Sequence, residues 1–113
     1  MVQRLIRLDN TFAALSDRTR RGILERLGRG EASISDLAAE FAMTLTGLKK
    51  HVQILEDAAL VATEKVGRVR YCRLDPRPLS DEIAWFGKYQ QMQEERLDSL
   101  GAFLARNDKE TRK

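Results

Sequence analysis

Four residues within one short stretch, Thr46, Lys49, Lys50 and Gln53, all carry side chains that donate hydrogen bonds or positive charge. If the stretch is helical, a rotation of about 100° per residue gathers them into one arc. A glutamine amide can pair with adenine through two hydrogen bonds, a lysine can reach guanine, and a threonine can touch a thymine methyl or a phosphate. Thr44 opens the stretch, and Gly47 removes bulk where a helix would approach a groove wall. A plain solvated helix face usually mixes acids in. Here the nearest acids, Glu56 and Asp57, come only one turn beyond Gln53. His51 has two readings, a phosphate contact or helix packing, and the residues alone leave both open. A second cluster, Lys65, Arg68 and Arg70, surrounds Gly67, with no acid from Lys65 to Arg73. Its chemistry suits phosphate or minor-groove contacts, which position a protein without specifying sequence. The same charges could instead guard an edge strand against aggregation.

These residues need elements to hold them. Leu45, Leu48, Val52 and Leu55 step by three and four opposite the polar arc, which predicts a helix over 44–58 capped by Thr44. Val61–Val66 and Val69–Leu74 are rich in β-branched and aromatic residues and flank Gly67 and Arg68, which predicts a hairpin over 61–74. Pro76 and Pro78 end it. Upstream, Leu5, Leu8, Phe12 and Leu15 mark a first helix. Ser16, with Asp17 behind it, caps a second that buries Ile23, Leu24 and Leu27 and stops at Gly28 and Gly30. Ser35 with Asp36 opens a short third helix, and Ser80 caps a long last one carrying Ile83, Phe86, Tyr89, Leu97, Leu100 and Leu104. The order is α-α-α-α-β-β-α, a mostly α fold with a small β-hairpin. Two helices joined by a few residues and followed by a hairpin describe a winged helix-turn-helix. Residues 1–106 are read as a single domain and 107–113 as a polar tail.

Composition narrows the alternatives. The 113 residues are 42% apolar and 33% charged, enough for one core and against disorder. The longest apolar run, Ala58–Ala62, is far short of the ~20 residues of a membrane span. No secretory segment follows Met1, and a single cysteine, Cys72, suits a reducing cytoplasm. The net charge of +3 is modest but unevenly spread, since five acids oppose three bases between Arg77 and Leu104. Such polarity fits a face for a polyanion, although charge alone fits an ordinary surface equally well. Catalysis lacks its parts: there is no Ser/His/Asp spacing, no glycine-rich phosphate loop and only one histidine. No enzyme activity or cofactor is expected. The seam of Leu5, Leu8 and Phe12 is longer than one small domain requires. With Phe86, Tyr89, Leu97 and Leu100 of the last helix it predicts a homodimer, the alternative being that the two helices pack within one chain.

Three stretches resemble the ArsR-type winged-helix transcriptional repressors. Ala14–Leu24, ALSDRTRRGIL, is similar to the family's second-helix signature; Met43–Val61, MTLTGLKKHVQILEDAALV, to its recognition helix; and Gly67–Pro76, GRVRYCRLDP, to its wing. The resemblance spans about residues 9–104. It implies a cytoplasmic homodimer on double-stranded operator DNA, with repression of nearby genes. The departures concern sensing. Glu31–Leu37 contains no cysteine where metal-sensing members carry a Cys-x-Cys element, and residues 79–104 contain no histidine. Neither Cys72 nor His51 has a ligand partner nearby in sequence, and no family-type metal site is expected. Ala59 replaces a glycine common before the wing. Cys72 reads as a small, partly buried residue, with a redox-responsive thiol as the other possibility. The sequence names no small-molecule effector. The reading is therefore a regulator that binds a pseudo-palindromic operator through helix 44–58 and wing 61–74. The rival is a winged-helix module that binds protein, which would display exposed apolar residues on the Thr46–Gln53 arc.

Overall fold

A computed structural model describes residues 2–111 of the protein, with side chains to residue 106. Its elements are α1 (Val2–Leu15), α2 (Arg18–Leu27), β1 (Ala32–Ser33), α3 (Ile34–Glu40), α4 (Leu45–Asp57), β2 (Val61–Val66), β3 (Val69–Leu74) and α5 (Ser80–Thr111). The chain divides into two compact units, one ending at Pro78 and the other beginning at Leu79.

In the first unit, α1 to α4 pack with a three-stranded antiparallel sheet of order β1-β3-β2. Ile23 of α2, Leu37 of α3, Leu48 and Leu55 of α4, Val61 of β2 and Cys72 of β3 are fully buried together. Each large aliphatic among them contributes roughly 1.5–3 kcal/mol by leaving water. Gly22 lets α2 approach α3, because a Cβ there would lie 3.0 Å from the Phe41 ring. The hairpin has the expected bounds, with Val61 opposite Leu74 and Val66 opposite Val69. Its two-residue turn starts at Gly67, whose φ of 64° suits a residue without a Cβ.

Three helix starts differ from expectation. Ser16 closes α1 instead of capping α2: its hydroxyl donates to Ala13 O at 2.6 Å, and Asp17 Oδ2 accepts from Arg20 N at 3.0 Å. Ser33, not Ser35, caps α3, accepting from Asp36 N at 3.0 Å. The cause is β1, which the residue pattern does not predict: Ala32 and Ser33 pair with Cys72 and Tyr71, so Ser33 is the last extended residue before the helix. Ser80 is already helical, and Ile83 N donates to Leu79 O at 2.9 Å.

The ends of α3 and α4 share a device. At α3, Met43 N reaches Ala38 O and Ala42 N reaches Ala39 O; at α4, Leu60 N reaches Leu55 O and Ala59 N reaches Glu56 O. These paired bonds are the Schellman closure, which requires a left-handed residue after the cap. Alanine fills that place twice, Ala42 at φ 52° and Ala59 at φ 57°.

The second unit is α5 itself, helical to Thr111 and so extending into the stretch read as a polar tail from 107; residues 112 and 113 lie outside the described residues. Trp85 stacks on Tyr89 with ring centres 5.8 Å apart and 4° between planes, and meets Phe86 edge-on at 5.6 Å. No described helix is long and apolar enough to cross a membrane.

Candidate nucleic-acid interface

Thr44 caps α4 by accepting from Gly47 N at 3.1 Å. The close turn through Ala42 and Met43 sets this cap immediately after α3, which gives the helix-turn-helix its geometry. Leu48, Val52 and Leu55 anchor α4 in the core, leaving Thr46, Lys49, Lys50 and Gln53 exposed on the far side. Leu45, expected among the buried residues, is 43% exposed and belongs to the floor of a cleft between α4 and the hairpin. Gly47 sits half-buried at the side of this arc. A Cβ there would come 3.1 Å from the Thr44 hydroxyl and 3.5 Å from Met43, so its lack of a side chain serves the cap and turn.

The hairpin brings its cations to the same place. Lys49 of α4 and Lys65, Arg68 and Arg70 of the hairpin line one cleft of about 340 Å³, floored by Ile34, Leu45 and Val69 and edged by Ser35. No acid lines it. Although Arg68 and Arg70 are two apart, the alternation of a strand does not put them on one strand face. Arg68 lies in the turn, and Arg70 stands directly opposite Lys65 in the ladder. A second cleft of about 300 Å³ adjoins, lined by Lys49, Val52, Gln53, Glu56 and Arg70.

Hydrogen bonds hold several of these side chains. Gln53 Nε2 donates to Asp57 Oδ1 at 2.8 Å, one turn along α4. Arg70 Nη1 donates to Thr63 Oγ1 at 2.9 Å, and Thr63 Oγ1 donates to Glu56 Oε2 at 3.1 Å. On the other face of the hairpin Arg73 pairs with Glu64 at 3.3 Å. His51 sits half-buried beside the start of α2, where Arg20 Nη1 donates to its Nδ1 at 3.2 Å and Asp17 Oδ2 lies 3.9 Å away. As the acceptor in that bond, Nδ1 carries no proton, and the ring proton belongs to Nε2. The Arg20 backbone N–H holds the Asp17 carboxyl below the ordinary aspartate range, and the nearby Arg20 charge acts in the same direction.

Two arginines and one hydroxyl–carboxylate pair have roles that the residue pattern did not single out. Arg20 donates to Ala14 O at 2.8 Å and Ala13 O at 3.0 Å, satisfying carbonyls at the end of α1. Arg77 donates to Ala59 O at 3.2 Å, Ala58 O at 3.1 Å and the buried Thr11 hydroxyl at 3.0 Å, tying the end of α4 to α1. In the sequence both were only positive charges, because their partners are distant in the chain. Glu56 and Thr63 carried no signal beyond acid and β-branched residue.

Cys72 is fully buried between the sheet and the core. Burial, reinforced by the Glu56 charge, pushes its thiol up to about 11. Full burial and a thiol held neutral make Cys72 a poor nucleophile, in keeping with the packing reading. Among the described residues no three His, Cys, Asp or Glu side chains are gathered as metal ligands. Of the expected dimer seam, Leu5 is 59% exposed, Leu8 and Phe12 are half-buried, and Phe86, Tyr89, Leu97 and Leu100 of α5 are exposed.

Comparison with known proteins places this geometry. A helix-turn-helix domain family matches residues 15–64. The transcriptional repressor SdpR of Bacillus subtilis (strain 168) is 33% identical over 78 residues, 69% of this chain and 87% of its own length. The crystal structure of an ArsR family transcriptional regulator is 42% identical and covers 78% of this chain and 91% of that one, with a TM-score of 0.71. A homodimeric winged helix-turn-helix DNA-binding domain from Mycobacterium bovis, a possible ArsR-family regulator, is 26% identical. It covers 86% of this chain and 84% of that one, with a TM-score of 0.58.

Proposed function

This chain belongs to the ArsR family of transcriptional regulators, and from that premise we propose that it represses transcription as a homodimer on a pseudo-palindromic operator. In each half-site α4 lies in the major groove, with Thr46, Lys49, Lys50 and Gln53 facing base edges. Lys65, Arg68 and Arg70 hold backbone phosphates beside it. Thr44, whose oxygen already accepts from Gly47 N, keeps its hydroxyl proton for a phosphate, and His51 offers Nε2–H in the same way. Gly47 keeps the flank of α4 narrow where the groove wall passes.

The observation that carries this reading is the acid-free cleft in which Lys49 of the helix meets Lys65, Arg68 and Arg70 of the hairpin. Four cations around one concave surface suit a phosphodiester backbone, and a protein-binding module would instead expose apolar side chains on the Thr46–Gln53 arc. The dimer follows from the apolar faces that α1 and α5 each leave uncovered, and from the homodimeric relative. A second copy covers both faces and sets two α4 helices about one helical turn of DNA apart.

Selection from random duplexes, followed by mobility-shift titration at several salt concentrations, tests the proposal. The expected result is an enriched motif with inverted half-sites, bound with an affinity that falls steeply as salt rises. Weak binding with no enriched motif would contradict it.

A further inference from the structure

Glu56 is an acid lining a cleft with Lys49, Gln53 and Arg70, on the face proposed to meet DNA, where its charge would oppose binding. Its hydrogen bonds suggest what it does there. An arginine can only donate and a carboxylate can only accept, so the Thr63 hydroxyl between them has a fixed direction. It accepts from Arg70 Nη1 at 2.9 Å and gives its single proton to Glu56 Oε2 at 3.1 Å. The ladder makes this possible. Thr63 lies opposite Cys72, and Arg70 opposite Lys65, so all four occupy the face of the hairpin that carries the buried Cys72. The hydrogen-bonded relay therefore runs from the last turn of α4, through β2, to β3. Arg70 also lines both clefts, the one with Lys49, Lys65 and Arg68 and the one with Gln53 and Glu56.

We infer that Thr63 and Glu56 are positioning residues that preset the Arg70 guanidinium for one DNA backbone phosphate between α4 and the hairpin. The inference rests on the DNA-binding reading above and adds a role for two residues that need not touch DNA. Among the described residues only Nη1 of Arg70 is engaged, which leaves the rest of its donor fork for two phosphate oxygens. Fixing one nitrogen in advance lowers the rotamer entropy that the phosphate contact would otherwise cost on binding. Arg68, in the turn, has no such tether among the described residues, and the two arginines of the wing thus differ in kind.

The test compares variants that remove the same charge. Glu56→Gln and Glu56→Ala both abolish the carboxylate, but the glutamine amide oxygen still accepts from Thr63. Affinity for a selected operator and for an unrelated duplex is measured by fluorescence anisotropy between about 50 and 200 mM salt, with cooperative melting confirmed for each variant. Glu56→Ala should bind both duplexes about fivefold more weakly per protomer than Glu56→Gln, the size of one hydrogen bond. Thr63→Val, which keeps the β-branched shape, should weaken binding by a similar factor and lower the salt slope; in an Arg70→Ala background it should change nothing further. Equal affinities for the two Glu56 variants would overturn the inference, as would a Thr63→Val effect that persists without Arg70. In either case operator binding by the unaltered protein leaves the DNA reading intact. Failure of the unaltered protein to bind any duplex would overturn both. Should Thr63→Val not fold, the Glu56 pair decides the matter alone.

Discussion

At the scale of single residues, two alanines and one cysteine carry measurable consequences. Ala42 and Ala59 hold left-handed backbone at φ 52° and 57°, a conformation that costs an L-residue roughly 1–2 kcal/mol relative to one without a Cβ. Ala59→Gly should therefore stabilise the fold by up to ~1 kcal/mol, and Ala42→Gly similarly, as read by denaturant midpoints at unchanged slope. A lower midpoint for both would contradict the Schellman account of these helix ends. Cys72 gives a pH dependence. Its thiol ionises at about 11 in the fold against an ordinary 9.0, so between these values the unfolded chain releases a proton that the folded chain retains. The contribution is complete below pH 9 and is lost as pH rises through 11. Cys72→Ala should flatten this alkaline decline; an unchanged slope would mean that other groups produce it. Residue-scale chemistry was partly legible. Lys49, Lys65, Arg68 and Arg70 could be nominated from type and spacing alone. The tethers of Gln53 to Asp57 and of Arg70 to Thr63 could not, because a hydrogen bond depends on rotamers and on register across strands.

At the scale of elements, periodicity recovered α1, α2, α4, α5 and the hairpin, since each carries a repeating apolar face or a β-branched run. The errors fell at boundaries. Ser16 and Asp17 are both good caps, and only the direction of the backbone leaving α1 decides between them. β1 escaped because an Ala-Ser pair has no strand signature; it exists through its pairing with Cys72 and Tyr71. Arg20 and Arg77, which close the ends of α1 and α4, escaped for the same reason, as their carbonyl partners are set by tertiary packing. The prediction that belongs here concerns α5. Leu97 is 65% exposed and Leu100 48% exposed on a helix whose other side carries Glu95 and Asp98. Leu97→Glu with Leu100→Glu should convert the proposed dimer to monomer in sedimentation at micromolar concentration while leaving thermal unfolding cooperative. Operator affinity should fall with it, because two linked half-sites bind far more tightly than one. A variant that remains dimeric would place the interface elsewhere, and an unaltered protein that sediments as a monomer would exclude the dimer under those conditions.

At the scale of the whole molecule, the proposed function divides labour between a helix that reads sequence and a hairpin that holds the backbone. Composition supports this division, with hydrogen-bonding side chains on α4 and pure charge on the wing. The structure adds that both line a common cleft, so neither acts at a distance from the other. The most direct measurement is the base preference and salt slope of Gln53→Ala and Lys49→Ala beside those of Arg68→Ala and Arg70→Ala, each on a panel of operator variants. The α4 substitutions should relax preference at particular base pairs, by ~1–3 kcal/mol for each bidentate base pairing removed. The wing substitutions should weaken every duplex alike and reduce the salt slope by ~1 per phosphate released. If instead the wing variants alter base preference while the α4 variants weaken all duplexes uniformly, the hairpin is the reader, and the proposed division of labour is wrong.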